Sequence, residues 1–232
     1  MVNRRFVGKI MQWTLVSMTV VILAMVMLMP GHDAQAALTK TTAFDTIDAW
    51  QALGVAALAI GNAESLSGSY ETILYIEVAL TDTDAQAGCN VIVEISYADD
   101  DWMQMMTFGG TAETPATTTI NDAAVSATDT SLTLTDATTG DFDVPGRKWF
   151  IVDGTVANSE SVRTQINATH TVTLCQDLMR DHANGLNVWD RVDEWSIRIP
   201  FGAAYVRVLV NNTDADAGVH WRSFCSKVTS LN

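Results

Sequence analysis

Residues 75–88, YIEVALTDTDAQAG, return 130 residues later as residues 205–218, YVRVLVNNTDADAG. Seven of the fourteen aligned positions are identical, and Ile76/Val206, Leu80/Val210 and Asp82/Asn212 are near-isosteric pairs. The repeated unit is a strand, an acidic turn and the start of a second strand. In both copies apolar residues alternate: Leu74, Ile76, Val78 and Leu80 in one, Ala204, Val206, Val208 and Val210 in the other. Period-two alternation marks a strand with one face on a core. The two copies are therefore expected to be equivalent strands of one sandwich, with Tyr75, Glu77, Tyr205 and Arg207 pointing away from its core.

The same alternation runs through Cys89, Val91, Val93, Ile95 and Tyr97, and through Trp195, Ile197 and Ile199. With the short segment 55–60, the run WMQMMTF at 102–108 and the segment 219–228, the count is seven strands: about 55–60, 70–81, 89–97, 102–108, 194–199, 203–211 and 219–228. Seven short strands separated by turn residues predict an all-β, antiparallel sandwich of Ig-like or jelly-roll type. Residues 111–130 have another texture, dominated by Thr, Ala, Asp and Ser, and read as a linker. From Ser131 the chain resumes as short strand patterns punctuated by Gly140, Gly146, Gly154 and Gly185. The expected organisation is a sandwich made of 37–126 and 191–232, with a small β-barrel-like module, 127–190, inserted in it. Few core contacts are expected to cross the junction, as between separate domains.

The N-terminus reads as an export signal. Arg4, Arg5 and Lys9 precede the uncharged, mostly apolar run 10–29, Pro30 and Gly31 end it, and Ala34-Gln35-Ala36 offers a signal-peptidase site with cleavage before Ala37. Retention as a membrane anchor is the alternative, since the run is long enough to span a bilayer; the segment is the chain's one expected link to a membrane. The expected location is extracellular or on the cell surface, or periplasmic if the protein is retained there. Removing 1–36 leaves 10 basic against 26 acidic residues, a balance that repels nucleic-acid phosphates. Cys89, Cys175 and Cys225 remain; export permits one disulfide and the odd count leaves a thiol over.

The module's order is TLTD, a Gly-flanked WFIVDG, an ANSESVRT hairpin, TVTL and HANG followed by Val188. In this order it resembles small β modules of tailed-phage virion proteins. The flanks, ending in AYVRVLVNNTDADAG, resemble the Ig-like sandwiches that carry such modules. The resemblance spans most of 64–230 and implies an all-β structural protein that packs into an assembly. Virion proteins need no export signal, which directs the reading toward a surface protein of similar build.

No nucleophile–base–orienter set, G-x-S-x-G elbow, H-E-x-x-H or phosphate-binding Gly-rich loop occurs, and a non-enzyme is expected. The acidic turns place Asp82, Asp84, Asp214 and Asp216 at alternate loop positions, where carboxylates can offer oxygens to Ca²⁺; the competing reading is an Asx-stabilised turn. No other cofactor is expected. Trp102, Met103, Met105, Met106 and Phe108 form an interface candidate: Met103 and Met105 are expected on one face of the strand, with Trp102, Met106 and Phe108 on the other, so that both faces need cover. His220 is expected to face solvent. The sequence thus supports an exported, non-enzymatic structural protein assembling with copies of itself or other surface proteins; the second reading is a carbohydrate- or surface-binding adhesion module.

Overall fold

A computed structural model of the chain describes residues 40–231, apart from Ala85, Thr111, Ala124, Thr139, Asp141, Asp143 and Thr169. The expected export signal lies outside these residues. Among the described residues no helix is long and apolar enough to cross a membrane. Residues Thr42–Thr229 form one compact unit.

The protein is all-β, with fifteen strands among the described residues rather than seven. They are β1 (Lys40–Leu53), β2 (Leu58–Ile60), β3 (Glu64–Ser65), β4 (Glu71–Leu80), β5 (Cys89–Ser96), β6 (Trp102–Gly109), β7 (Thr117–Thr119) and β8 (Ser131–Thr133), then β9 (Lys148–Ile151), β10 (Glu160–Ala168), β11 (Thr171–Leu174), β12 (Asn187–Trp189), β13 (Val192–Ile199), β14 (Tyr205–Asn212) and β15 (Val219–Leu231). The sandwich pairs a four-stranded sheet, β1-β15-β4-β13, with a second sheet, β2-β14-β5-β6, in which β3 also pairs with β14. All seven expected strands are present. The fourteen-residue β1 escaped the alternation pattern because its large apolar residues Phe44, Ile47, Trp50 and Leu53 recur every third position.

The echo is a pair of sheet-crossing corners. β4, in the first sheet, leads through its acidic turn to β5 in the second; β14, in the second sheet, leads through the matching turn to β15 in the first. Leu74, Ile76, Val78 and Leu80 share one fully buried core with Val206, Val208, Val210 and Trp221. The inward pattern begins one residue off expectation, since Ala203 rather than Ala204 is the buried residue ahead of β14.

The module begins earlier than the composition indicates. Thr117–Thr119, assigned from sequence to the sandwich, pairs with β12 and joins a six-stranded sheet, β7-β12-β9-β10-β11-β8. That sheet closes on itself: Ile120 bridges Leu134, with Asn121 N donating to Thr133 O at 2.8 Å and Thr135 N to Thr119 O at 2.9 Å. The result is a small barrel filled by Trp149, Ile151, Val162, Val172, Val188, Phe142 and their neighbours. Short polar β7 carries no hydrophobic alternation, so its pairing was invisible in the sequence.

The barrel does not hang loosely from the sandwich. Phe150, Trp189, Trp50 and Ala79 form a third buried cluster joining the two parts. Beside it Glu77, almost fully buried, is salt-bridged to Lys148 of the barrel and, at 2.8 Å, to Arg222 of the sandwich. Ser161 Oγ donates to Glu77 Oε2 at 2.8 Å, and Arg222 Nη2 donates to Ser161 Oγ at 2.9 Å. The expectation of few contacts across the junction is therefore corrected. The consecutive apolar residues Trp149, Phe150 and Ile151 serve two cores, Trp149 and Ile151 facing the barrel and Phe150 the sandwich.

Candidate functional site

The two acidic turns stack at one end of the sandwich. Asp84 N donates to Asp82 Oδ1 at 3.1 Å, and at the matching positions Asp214 N donates to Asn212 Oδ1 at 3.1 Å. These are Asx turns, which substitute a side-chain oxygen for a backbone carbonyl. Asp214 goes further. Its Oδ2 accepts the Ala87 amide of the other turn at 2.7 Å, and its Oδ1 accepts the amides of Asp216 and Ala217 at 2.8 and 2.9 Å. Those amides, Ala87 first, hold its carboxyl below the ordinary aspartate range. Three of the four lone-pair sites of the Asp214 carboxylate are thus committed to backbone amides. Asp84 and Asp216 are exposed and Asp82 is half-buried. Replacing Asp214 with Ala is expected to cost about 1 kcal/mol, since of the three amides it accepts only that of Ala217 belongs to a buried residue. Urea denaturation in the presence of a chelator measures it; an unchanged midpoint would show the turns to be independent of this side chain.

Among the described residues, the group of His, Cys, Asp and Glu close enough together to hold an ion is Asp45, Glu64 and Cys225. The Lys227 ammonium lies in it, bonded to Glu64, to Ser65 O at 2.9 Å and to Asp45 at 3.2 Å. Burial opposes the charge on Lys227, but its bonds to Glu64 and Asp45 outweigh burial and raise its pKa. Cys89 and Cys225 are buried, Cys175 is exposed, and all three are free thiols. Burial, with Asp193 and Asp214 nearby, pushes the Cys89 thiol up to about 12, far from the thiolate range that nucleophilic chemistry needs. His220 does not face solvent as expected. It packs 5.3 Å from Phe150 and bonds Thr81 Oγ1 at 3.0 Å, and burial lowers its pKa.

The interface candidate lies on an edge strand, and a bulge rearranges it. The register pairs Val93 with Met106 and Glu94 with Gln104, leaving Met105 as the extra residue. The expected division of faces is corrected accordingly. Met103, Met106 and Phe108 lie opposite Ile95, Val93 and Val91, on the core side, and Trp102 lies opposite Ser96 on the other. A bulge shifts the parity of every residue beyond it, which no reading of alternation alone could reveal. Trp102 is half-buried under the Arg207 guanidinium, 4.0 Å from its ring, and Arg207 is paired with Glu94 at 2.7 Å.

β6 and β13 are the edge strands on the same side of the two sheets, joined by Phe108 stacked on Trp195 at 5.8 Å. Met105, Phe108, Trp195 and Ile197 close the core there, all of them only partly buried. Met103 and Met106 remain 46% and 43% exposed. The sandwich is thus open along this edge, with thioethers and aromatic rings at the opening. Trp195 and Ile197 were assigned to the core from their alternation; nothing in the sequence signalled that β13 would be an edge opposite β6.

No known protein family and no curated relative matches the chain. Solved structures give weak likenesses. A cleaved adhesin domain of Lys-gingipain from Porphyromonas gingivalis is 12% identical, with 82% of this chain and 98% of that one covered and a TM-score of 0.34. A xylan-binding domain from Paenibacillus barcinonensis is 10% identical, with 85% and 100% covered and a TM-score of 0.29. The VP2 subviral particle of infectious bursal disease virus is 12% identical, with 85% and 83% covered and a TM-score of 0.23. Likeness at this level defines neither a family nor a function.

Proposed function

We propose that the chain is an exported, non-enzymatic structural protein that assembles with copies of itself through the β6 edge. The observation that carries this reading is the open apolar seam of Met103, Met105, Met106 and Phe108 on an edge strand without a single charged residue. Proteins commonly guard exposed edges with Lys, Pro or inward-pointing charge, because unpaired backbone groups invite another strand. β6 has only its bulge as such a guard. The formal net charge of the whole chain is −14, so two copies repel over most of their surfaces. The uncharged edge is where that repulsion is weakest and apolar burial is available. Flexible thioethers adapt to a partner surface more readily than branched side chains do.

The test is the double substitution Met103→Ser, Met106→Ser. Both residues are close to half exposed and lie at the open edge, so the thermal midpoint should stay close to that of wild type, as for surface changes generally. Light scattering should show that the variant no longer forms the wild-type oligomers. A variant that associates like wild type would remove β6 as the contact.

A further inference from the structure

A second surface, adjoining the β6 edge through Trp195 but carried by other residues than the assembly reading, is a groove of about 550 Å³ on the outer face of the four-stranded sheet at the foot of the barrel. Its floor is aromatic. Tyr75 and Phe224 are cross-strand partners whose rings stack 5.0 Å apart with 11° between their planes. Phe44 of β1, 72% exposed, lines the groove with them. Its wall is polar: Ser196 lies opposite Tyr75, and two residue pairs further along Glu194 lies opposite Glu77, with Lys148 of the barrel bonded to both carboxylates. Arg163 and Arg222 complete the pairing of Glu194 and Glu77.

The geometry points to this groove as a saccharide-binding site. A sugar ring presents an apolar C–H face and an edge of hydroxyls. The first needs a flat, polarisable floor, which the aromatic rings supply. The second needs donors and acceptors side by side, which Lys148, Glu194 and Ser196 supply in charge-assisted form. The volume lies within the range of small-molecule sites, which are apolar with a few convergent polar groups. A wholly apolar ligand would desolvate the charged wall without compensating it. A small cation finds both carboxylates already paired with Lys and Arg, and polyanions are repelled by the acidity of the chain. The sequence placed Tyr75 and Glu77 on the outward face of their strand; Phe44 and Phe224 join them only through the sheet order β1-β15-β4.

The test is binding of the purified full chain to a glycan array and to soluble xylan, glucomannan and polygalacturonate in affinity electrophoresis, which together separate neutral from acidic sugars. At least one neutral saccharide should bind, and polygalacturonate should not. Phe44→Ala and Tyr75→Ala should weaken that binding at least tenfold, and Tyr97→Ala, an exposed aromatic away from the groove, should leave it unchanged. Should Tyr75→Ala fail to fold, Phe44→Ala decides, because its side chain is largely exposed and contributes little to the core. Absence of binding to every neutral saccharide, or undiminished binding by Phe44→Ala, would overturn the assignment.

Discussion

Replacing Phe150 with Ala should destabilise the whole protein by about 3–5 kcal/mol, the usual cost of removing a buried aromatic ring and leaving a cavity. The ring is fully buried in the cluster that joins barrel to sandwich, 4.3 Å from Trp50 and 5.3 Å from His220. Because that cluster belongs to both parts, the loss should appear in a single cooperative transition. Differential scanning calorimetry distinguishes the alternatives: one shifted peak supports a shared core. Two peaks, with only the barrel's lowered, would mean that the two parts fold separately.

The second large effect concerns Glu77. Taking this carboxylate away leaves Arg222 without its counter-charge at the junction and Lys148 with Glu194 alone. Loss of one partner from a buried pair costs about 3–5 kcal/mol, so Glu77→Ala should rival Phe150→Ala. The isosteric Glu77→Gln separates charge from packing through its pH dependence. Burial raises the Glu77 pKa, but the neighbouring Arg222 and Lys148 outweigh burial and leave it lowered in the folded state. A lowered folded pKa means that the pairing stabilises the protein above the unfolded glutamate pKa of about 4.3. That contribution is lost as pH falls through the folded value. Wild type should therefore lose stability steeply below about pH 4.3, and Glu77→Gln should follow a shallower slope, by up to about 1.4 kcal/mol per pH unit for the one proton removed. Urea melts from pH 7 to pH 3 give both slopes; parallel curves would show that Glu77 carries no net pairing energy.

How much of this was legible depends on whether a residue's partner is near in pattern or only in space. The echo announced two equivalent strands in one core because burial on one face writes period two directly into the sequence. Two apolar runs, WMQMMTF and KWFI, carry the opposite lesson. WMQMMTF is expected to be apolar on two faces; KWFI carries no such expectation. Yet KWFI is apolar on both, because β9 lies between two cores. WMQMMTF is not: the bulge at Met105 returns Met106 to the core side. A bulge is a property of a strand pair, and β5 has to be present for β6 to bulge against it. β7 was illegible for a related reason, since Thr117–Thr119 is a strand only through the backbone bonds that β12 offers. Of the candidate sites, the Asx geometry of the acidic turns was readable because it closes within a few residues. The clamp of Asp214 on Ala87, 127 residues away, was not. The interface candidate Trp102, Met103, Met105, Met106 and Phe108 was named from its run on one strand, and Trp195 and Ile197 joined it only once the sheet order made β13 an edge.

Sedimentation velocity of the purified protein over a hundredfold concentration range, at physiological ionic strength, tests the assembly reading most directly. The account predicts a weight-average sedimentation coefficient that rises with concentration in wild type and stays at the monomer value in Met103→Ser, Met106→Ser. A wild-type protein that sediments as a monomer throughout the range would contradict it.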